Sequence, residues 1–382
     1  MRSSTVPVQS RLNGEYLEKR LSSDHRLRDL YIKFMSEYCS LGHMSPTSNP
    51  GSYYIPHHAV YKPSETGPKI RVVFDASARA FSGVSLNNCL LPGPKLQHDV
   101  VDVLLLFQLL RYVFTTDICK MYRQILIAPE HHKYQHILWC ASPHDKLQEY
   151  QLNTVTYGVN CAPYLAIRVL QHIADSDCTE FPSVRKAFLF HTYVDDICVG
   201  ADSEEAALEL QFALIAVLGR AELELKKWSS NTHSILNNVP PEDRANDALP
   251  FDEGDGVKVL SLRWSPHDDA FTYGFQSEKL VATKRGMLSL IARIFDPLGL
   301  LSPVVFMAKH FMKLVWRANV TWDEPLPPSV SDVWHQFVTE LPELRKLCIP
   351  RFVHTRFGMR VVLCDFCDAS ERGYAAVFCI RS

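Results

Sequence analysis

The spacing of apolar residues along the chain predicts helices and short strands in alternation. Residues 11–45 carry leucines and aromatic residues at three- and four-residue intervals among charged ones, which predicts a helix. Two apolar runs, 53–61 and 70–74, predict strands joined by a turn. The apolar segment 100–110 predicts a buried helix.

The clearest local pattern is a hairpin in the middle of the chain. Residues 187–192 and 197–200 are predicted as strands on either side of the tight turn 193–196, which reads Tyr-Val-Asp-Asp. Asp202, with a glutamate three positions later, is a capping-box pattern that predicts the start of a helix. Gly219 predicts the end of that helix.

The C-terminal half alternates in the same way. Its predicted elements are an exposed polar insertion (229–256), a second hairpin (257–264 and 270–275), helices over 283–318 interrupted at 296–299, a short helix (333–344) and two strands (361–368 and 374–380). The whole pattern indicates a mixed α/β fold of the α+β type.

Composition narrows the class of protein. With 382 residues, 47% hydrophobic and 21% charged, the chain is ordinary for a globular protein of two or three domains, which excludes disordered and fibrous classes. The formal net charge is −2, so any contact with nucleic acid must come from local clusters of Lys and Arg. No apolar leader or membrane-length segment is present in the sequence, so we expect a soluble, intracellular protein without a membrane partner.

Candidate chemistry lies at the turn 193–196. Two adjacent carboxylates repel each other unless a cation lies opposite, and Mg²⁺ prefers carboxylate oxygens and substrate phosphates. Asp117, at the end of the apolar run 112–116, supplies a third carboxylate. Two-ion nucleotidyl transfer uses such a set, because one ion activates the attacking 3′-hydroxyl and the other stabilises the leaving pyrophosphate. Taken alone, the Asp-Asp pair fits a plain exposed turn; the joint pattern favours the metal site.

That joint pattern resembles a known family. Tyr193-Val194-Asp195-Asp196 resembles the signature box of retroviral and retrotransposon reverse transcriptases, and further boxes follow the order of that family. They are 71–75, similar to the fingers motif; 117–125, similar to the first catalytic motif; 157–163, similar to the loop behind the nucleotide; and 223–231 and 259–264, similar to the motifs near the primer terminus.

Other segments resemble the Bel–Pao group of LTR retrotransposons. They are 55–60, 227–231, 296–303 and 349–351. Two positions depart from the wider family. Ser261 stands where many primer-grip motifs have Gly, and Tyr157 stands where retroviral enzymes carry Gln.

The resemblance implies specific roles. Asp117 and Asp195 would be the main ligands of two Mg²⁺ ions, for which Mn²⁺ can substitute, with Asp196 a weaker ligand and the carbonyl of Ile118 another. Arg71 would bind the triphosphate of the incoming dNTP because its planar fork fits phosphate. Lys62 or Lys69 would join it, and spacing does not choose between them.

The remaining implied contacts concern the sugar, the base and the primer. Tyr122 would exclude a 2′-hydroxyl. The other candidates are Tyr157 and Gly158 at the nucleotide, and Lys226, Lys227, Trp228, Leu262 and Trp264 at the primer or template. For the lysines, and for Lys284 and Arg285 farther along, a solvated charged face is an equally open explanation.

The resemblance also implies a right-hand polymerase with fingers, palm and thumb. The expected segments are fingers (1–94 and 126–160), palm (95–125 and 161–275, with an insertion near 229–256), helical thumb or connection (276–348) and a truncated RNase H-like start (349–382). Asp368 would be the first metal ligand of that last segment. Because the chain stops 14 residues later, we expect a polyprotein fragment whose RNase H site is incomplete.

The expected function is RNA-directed DNA synthesis from a primer on an RNA or DNA template, in the cytoplasm or in a retroelement particle. The oligomeric state stays open. Two alternatives remain: a catalytically inactive relic that still binds nucleic acid, and an RNA-dependent RNA polymerase, against which Tyr122 argues.

Overall fold

The computed structural model describes residues 8–62, 68–80, 82–142, 145–245, 257–260, 262–274, 282–354, 358 and 360–381. The helices are α1 (Val8–Ser23), α2 (His25–Ser40), α3 (Leu86–Cys89), α4 (Val100–Gln108), α5 (Met121–Gln124), α6 (Ala162–Ser176), α7 (Pro182–Phe190), α8 (Glu204–Arg220), α9 (His233–Asn237), α10 (Lys284–Arg293), α11 (Ser302–Arg317) and α12 (Pro328–Glu340). The strands are β1 (Met44–Pro46), β2 (His57–Lys62), β3 (Lys69–Phe74), β4 (Tyr112–Ile118), β5 (His136–Trp139), β6 (Gln148–Leu152), β7 (Thr192–Tyr193), β8 (Asp196–Ala201), β9 (Leu225–Ser230), β10 (Val257–Val259), β11 (Leu262–Ser265), β12 (Ala270–Thr272), β13 (Cys348–Pro350), β14 (Val362–Ala369) and β15 (Tyr374–Arg381).

The chain divides into two compact units. The first comprises residues 1–97, 119–176 and 220–223, and the second comprises 98–118, 177–219 and 224–382. Helix α6, expected in the palm, therefore belongs to the first unit. The helices expected as a thumb belong to the second unit together with β4, β8 and β9. The boundaries of fingers, palm and thumb remain predictions.

The first unit is built on two small antiparallel sheets. One has the strand order β1-β6-β5 and the other is the hairpin β2–β3. Residues of α1 and α2 share one core with residues of both sheets; its members include Leu21, Leu27, Tyr31, Met35, Tyr38, Val72, Phe74, Ile137 and Trp139. The leucines and aromatic residues that predicted a helix are thus the buried face of α1 and α2.

The predicted single helix over 11–45 is two helices. The chain breaks at Asp24, whose extended backbone (φ −136°) ends α1 and whose side chain accepts a hydrogen bond from the Leu27 N–H, which caps α2. A helix N-cap inside a continuous apolar pattern leaves the periodicity of both flanking segments intact, which is why periodicity alone missed the break.

The core of the first unit also contains His57. Its imidazole is hydrogen-bonded to the Tyr31 hydroxyl and, through Nε2, to the Leu138 carbonyl at 3.0 Å. Burial lowers the pKa of His57 to about 4, so the ring is neutral at physiological pH. His57 is therefore a structural residue.

The second unit contains the sheet that carries the candidate acids. Its antiparallel strand order is β7-β8-β4-β9, and a second antiparallel sheet has the order β10-β11-β12-β13. Helix α4 contributes Val103, Leu104 and Phe107 to a core with residues of both sheets, among them Val113, Cys198, Trp264 and Phe271. Helices α10 to α12 enclose a further core that includes Met287, Leu290, Val315 and Trp334.

The strand predicted at 187–192 is mostly helix. Helix α7 begins with Pro182 in its first turn, where the missing N–H costs nothing, and it buries Val184, Ala187 and Phe188 at helical spacing. Strand β7 is therefore reduced to Thr192 and Tyr193. The apolar residues of this segment are partly buried as expected, but they belong to a helix and not to a strand.

The helix after the hairpin also starts and ends differently from the prediction. Ser203, and not Asp202, accepts a hydrogen bond at the first turn of α8, from the Ala206 N–H to its Oγ at 3.2 Å. Gly219 lies inside α8, which continues to Arg220.

Part of the expected insertion at 229–256 is packed structure. Strand β9 runs to Ser230, and Ile235 of α9 and Val239 are buried. The Gln211 side chain of α8 donates a hydrogen bond to the Ile235 carbonyl at 3.0 Å. Residues 246–256, like Ser261, lie outside the described residues.

The expected start of the RNase H-like segment at 349 falls inside a sheet of the second unit. Strand β13 pairs with β12, and Arg351 just after it is fully buried. The Arg351 guanidinium forms a two-point ion pair with Asp269 (2.6 and 2.8 Å) and donates to the carbonyls of Phe107, Leu110 and Arg111. We call this group the Arg351 clamp. It ties β13 to the end of α4 and to the start of β4, so residues 349–351 belong structurally to the second unit.

The last two strands form a separate antiparallel hairpin. Residues of β14 and β15 are almost all exposed on both faces, including Phe366 and Phe378. Its turn lies against α11, because a Cβ added to Gly373 would fall 2.3 Å from the Phe306 ring. In the described part of the chain, no helix is both long and apolar enough to cross a membrane.

Candidate active site

Strand register places two of the candidate acids opposite each other. In the β4–β8 pairing Asp117 faces Asp196, and the Ile118 N–H donates to the Asp195 carbonyl at 2.8 Å. Because hydrogen-bonded and non-hydrogen-bonded pairs alternate in an antiparallel ladder, Asp117 and Asp196 form a non-hydrogen-bonded pair, with Cα atoms about 4.5 Å apart. Directly opposed residues project from the same face of a sheet. The two carboxylates therefore share one surface.

The turn that presents Asp195 is strained. Tyr193 pairs with Asp196 across it, which leaves Val194 and Asp195 as its two central residues. Val194 has φ +57°, a left-handed conformation that is rare for a β-branched residue. Such strain costs on the order of 1–3 kcal/mol and is found at functional sites where the surroundings impose it.

A β-bulge directs a lysine at these acids. Thr115 of β4 pairs with Ser229 and Asp117 with Lys226, so two residues of β9, Lys227 and Trp228, oppose the single residue Thr116. Lys227 is left-handed (φ +57°), and its Nζ lies 2.7 Å from Asp117 Oδ2. Bulges are known to re-aim side chains in this way next to active sites.

The electrostatics of the three acids are coupled. Burial raises the pKa of Asp196 to about 6, and the charges of Asp195 and Asp117 add to the rise. Burial and then the charge of Asp117 also raise the pKa of Asp195, while Lys227 lowers both. Burial alone would lower the pKa of Lys227. Its hydrogen bond to Asp117 and the charges of the three carboxylates have the larger effect, so the pKa of Lys227 is raised. With one ammonium for three carboxyl groups, the acidic side chains are only partly balanced by positive charge.

The donor set can be compared with what Mg²⁺ needs. Among the residues that the structure describes, no three His, Cys, Asp or Glu side chains converge as a ready-made metal site. The chemistry of the donors nevertheless fits the ion: two of the three carboxylates have raised pKa values, and the Lys227 ammonium occupies the place of a counter-cation. Convergence of all three carboxylates on shared ions stays a prediction.

The residues expected to bind the nucleotide lie in the first unit. Arg71 is exposed on β3, with its guanidinium 5.8 Å from the centroid of the Tyr157 ring. The Tyr157 hydroxyl donates to the Val72 carbonyl at 2.7 Å, and Arg123 lies 5.6 Å from the same ring. Burial raises the pKa of Tyr157, although Arg123 opposes the rise. Tyr157 thus fixes its loop to β3 beside Arg71.

Gly158 is required by the backbone of that loop. Its φ is +100°, and a Cβ at this position would lie 2.2 Å from the Phe74 carbonyl oxygen. No other residue allows this approach of the loop to β3. The close approach of this loop to β3 therefore explains why segment 157–163 has glycine at position 158.

The two candidate lysines are register partners. Lys62 pairs with Lys69 in the β2–β3 hairpin, two positions from the Val60–Arg71 pair. Lys69 and Arg71 therefore project from the same face of β3. Tyr122 lies in α5 and packs partly buried against the core of the first unit. The backbone pairing leaves both lysines as candidates.

The candidate primer and template residues fall into two groups. Trp228, Leu262 and Trp264 are buried: Trp228 packs against Phe114 with ring centroids 5.5 Å apart, and Trp264 Nε1 donates to Asp269 at 3.1 Å. These three side chains are core residues, and a role at the primer or template stays a prediction. Lys226 is half-exposed, with Nζ 2.8 Å from Asp243, and Lys227 is the partner of Asp117.

Asp368 lies exposed on β14 opposite Ala375. Its Oδ1 accepts a hydrogen bond from the neighbouring Ala369 N–H at 2.9 Å. It belongs to no metal-ligand group among the described residues. A role as the first ligand of an RNase H site stays a prediction.

Comparison with known proteins bears on the C-terminal part of the chain. Residues 283–382 match the family model of the Pao retrotransposon-like RNaseH-like domain. The match covers about a quarter of the chain and supports a Bel–Pao retrotransposon origin and an RNase H-like C-terminal domain. It starts well before residue 349, so the helices expected as a thumb lie inside it. No curated protein matches the chain.

Sequence reasoning missed the contacts that depend on distant partners. The Lys227–Asp117 pair joins residues 110 positions apart, and the Arg351 clamp joins positions up to 244 apart. The strain at Val194 was also missed. The available signal was a valine at a position of a two-residue turn that favours Gly, Asn or Asp.

Proposed function

We propose that this chain is the polymerase part of a retrotransposon reverse transcriptase, an RNA-directed DNA polymerase that works by two-metal-ion nucleotidyl transfer. The observation that carries the proposal is the pairing of Asp117 with Asp196 across two antiparallel strands, with Asp195 in a strained turn beside them. The retrotransposon origin of the C-terminal part is in keeping with it.

The proposed reaction joins the primer to the nucleotide. The primer 3′-oxygen attacks the α-phosphorus of a dNTP, the bond from that phosphorus to the β-phosphate oxygen breaks, and pyrophosphate leaves. Two Mg²⁺ ions, when bound, would activate the 3′-hydroxyl and stabilise the leaving group. Asp117 and Asp195, with the Ile118 carbonyl, would hold them, and Asp196 would contribute more weakly.

Other side chains have supporting roles in the proposal. Lys227 forms an ion pair with Asp117 and balances part of the negative charge before substrate arrives. Arg71 offers a planar fork for the triphosphate, and Lys62 or Lys69 adds a point charge. Tyr122 would close the site against a 2′-hydroxyl.

Primer extension tests the proposal. Purified protein is given an RNA or DNA template, a labelled primer, Mg²⁺ and either dNTPs or rNTPs. We expect extension with dNTPs on an RNA template and its loss, by at least about a hundredfold, in Asp195→Asn, which keeps the shape and removes the charge. Asp202→Asn, at an exposed acid just past the same hairpin, is the matched control and should extend normally.

The alternatives give different results in the same assay. Extension with rNTPs in preference to dNTPs would indicate an RNA polymerase. Binding of template–primer without any extension would indicate an inactive relic. If dNTPs are preferred, Tyr122→Val should selectively increase ribonucleotide incorporation, and unchanged discrimination would reject the role of Tyr122.

A further inference from the structure

The exposed face of α11 combines cations with aromatic rings. Four residues fall on it at three- and four-residue spacing, and all four are exposed: Phe306, Lys309, Lys313 and Trp316. Arg317 extends the same face, and the opposite face buries Ala308, Phe311 and Val315. The helix contains no acidic residue.

A second tryptophan and two further cations adjoin this face. Trp322 lies edge-on to Trp316 with ring centroids 5.7 Å apart, and Lys284 Nζ lies 3.6 Å from the centroid of Trp316. Arg285 lies 5.8 Å from Trp322. We call Lys284, Lys309, Lys313, Trp316, Arg317 and Trp322 the α11 stripe.

Two acids in the segment that follows α11 already have partners. Asp323 accepts two hydrogen bonds from Arg285, at 2.7 and 3.0 Å, and Glu324 accepts one from the Thr321 N–H at 3.0 Å. Lys309, Lys313 and Arg317 have no ion pair with any residue the structure describes. Two lysines four positions apart on a helix repel each other, so the arrangement is not explained by the stability of α11.

The exposed tryptophans are unusual within this chain. Of six tryptophans, the other four are buried at 5% exposure or less, whereas Trp316 is 51% and Trp322 44% exposed. A pair of large aromatic side chains held partly in solvent, with a lysine already over one ring, presents π surfaces for further stacking.

The chemistry of the α11 stripe fits one class of partner. Lysine is depleted in the core of protein–protein interfaces, so alternating lysines and tryptophans match a protein partner poorly. Cations in a line that follow a phosphate backbone, with aromatic rings on which unpaired bases stack, are the means by which proteins bind single-stranded nucleic acid. Lys309 and Trp316 are seven positions apart, about 10 Å along the helix axis, so the cations and the ring lie along one short line.

We propose that the α11 stripe binds single-stranded nucleic acid, with Lys309, Lys313 and Arg317 on phosphates and Trp316 and Trp322 on bases. The surface lies outside the acidic site of the proposed polymerase, and the proposal does not depend on that activity. Duplex is excluded as the preferred ligand because its bases are already stacked on each other and closed to tryptophan.

Fluorescence anisotropy with the full chain tests this directly. The probes are fluorescein-labelled oligo(dT), oligo(rU) and a duplex of equal length, titrated over a range of salt concentrations. We expect both single strands to bind more tightly than the duplex. Trp316→Ala with Trp322→Ala should weaken binding roughly 5- to 150-fold for each base that loses its stacking partner.

The salt dependence of binding distinguishes the contribution of the lysines from that of the stacking tryptophans. Lys309→Ala with Lys313→Ala changes two exposed residues, and it should lower the salt slope of log K by about 1.4, at about 0.7 for each phosphate on a single strand. The tryptophan variants should weaken binding with little change in slope. The charge-matched control is Lys19→Ala with Lys33→Ala, on exposed positions of α1 and α2, and the aromatic control is Phe212→Ala on the acid-rich helix α8.

Tryptophan fluorescence gives an independent readout. Iodide should quench mainly Trp316 and Trp322, and saturating oligo(dT) or oligo(rU) should protect them. A Trp316→Phe variant keeps an aromatic ring and should retain most of the binding, which distinguishes stacking from a purely structural role. Circular dichroism melting checks that each variant is folded.

Several outcomes would overturn the proposal. They are equal binding by folded tryptophan variants, tighter binding of duplex than of single strand, and unchanged iodide quenching when oligonucleotide is bound. Binding of single strands that survives in Asp195→Asn, in a protein that never extends a primer, would support the α11 stripe while rejecting the polymerase. Primer extension by the wild type, together with unchanged single-strand binding in the α11 stripe variants, would support the polymerase and reject the α11 stripe.

Discussion

Two charged groups lie at opposite ends of β4, and they differ in how fully their charges are satisfied. At the start of the strand, the Arg351 clamp pairs one guanidinium with one carboxylate and gives its remaining N–H donors to backbone carbonyls. At the other end, three carboxylates face one ammonium, and two of the acids, Asp195 and Asp196, have raised pKa values. A satisfied buried pair holds structure together, whereas an unbalanced group of acids with raised pKa values is the pattern common at functional sites.

Backbone geometry differs between the two ends in a related way. The acidic end has Val194 and Lys227 in left-handed conformations and a bulge in β9. The clamp end has its own left-handed residue, Asp269, where the conformation serves the ion pair directly. Strain is thus present at both ends, but at the acidic end it positions charges that remain uncompensated.

The largest expected effect concerns the clamp. Arg351→Met should destabilise the protein by about 3–5 kcal/mol, because it leaves the partly buried Asp269 carboxylate without its ion-pair partner and removes the donor to the carbonyls of Phe107 and Leu110. Urea unfolding measures the change. Arg285→Met is the control, since it removes the same two-point geometry from a fully exposed pair and should have little effect. Similar losses in both variants would contradict the role assigned to burial.

At the acidic end, removing a charge should stabilise the protein, whereas at the clamp it should destabilise the protein. The folded protein keeps the Asp196 proton up to about pH 6, whereas the unfolded chain loses it near 3.8, so stability falls as the pH rises through this window. Asp196→Asn removes that penalty. It should therefore stabilise the protein at pH 7.5 by up to ~3 kcal/mol and impair primer extension.

The pH dependence is the measurement that decides this point. Urea unfolding of wild type and Asp196→Asn is compared at pH 7.5 and below pH 4, and the stabilisation should disappear at the lower pH. An equal gain at both values would mean that packing, and not the unfavourable ionisation of Asp196, accounts for it. Added Mg²⁺ should raise the melting temperature of wild type more than that of the variant.

A smaller effect is expected at the turn. Val194→Gly relieves the left-handed strain of a β-branched residue but makes the unfolded chain more flexible, so the net gain should be about 1 kcal/mol. Val60→Gly, at an exposed valine of strand β2, is the control and should be destabilising. Thermal unfolding shows whether each variant is stabilised or destabilised relative to wild type. A loss at both positions would show that Val194 is not strained in solution.

The smallest effect is expected for the lysine. Lys227→Gln should change stability by less than about 1 kcal/mol, because the lysine side chain is 69% exposed and its ion pair is screened by water. Its consequence should be electrostatic: the pKa values of Asp195 and Asp196 should rise further, since Lys227 lowers both. Carboxyl resonances followed by NMR against pH provide the measurement, and unchanged titration would reject the coupling.

Much of the candidate site follows from local pattern. The strand ending at Asp117 and the turn at Asp195 are where the apolar runs place them, and the break in the C-terminal helices at 296–299 is confirmed, with the Asp296 side chain accepting a hydrogen bond from the Leu301 N–H. The apolar run 187–190 predicts a strand but belongs to α7, which buries Val184, Ala187 and Phe188 at helical spacing, because a short apolar run fits both periods.

The sequence by itself therefore determined which residues form the acidic group, since turn and strand signals act over a few neighbours. The tertiary structure decided what surrounds it: the bulge that brings Lys227 to Asp117, and the burial that takes Trp228, Leu262 and Trp264 into the core. It also decided that Arg351 belongs to the second unit. These contacts depend on strand register and packing between positions far apart in the chain, and local periodicity carries no information about either.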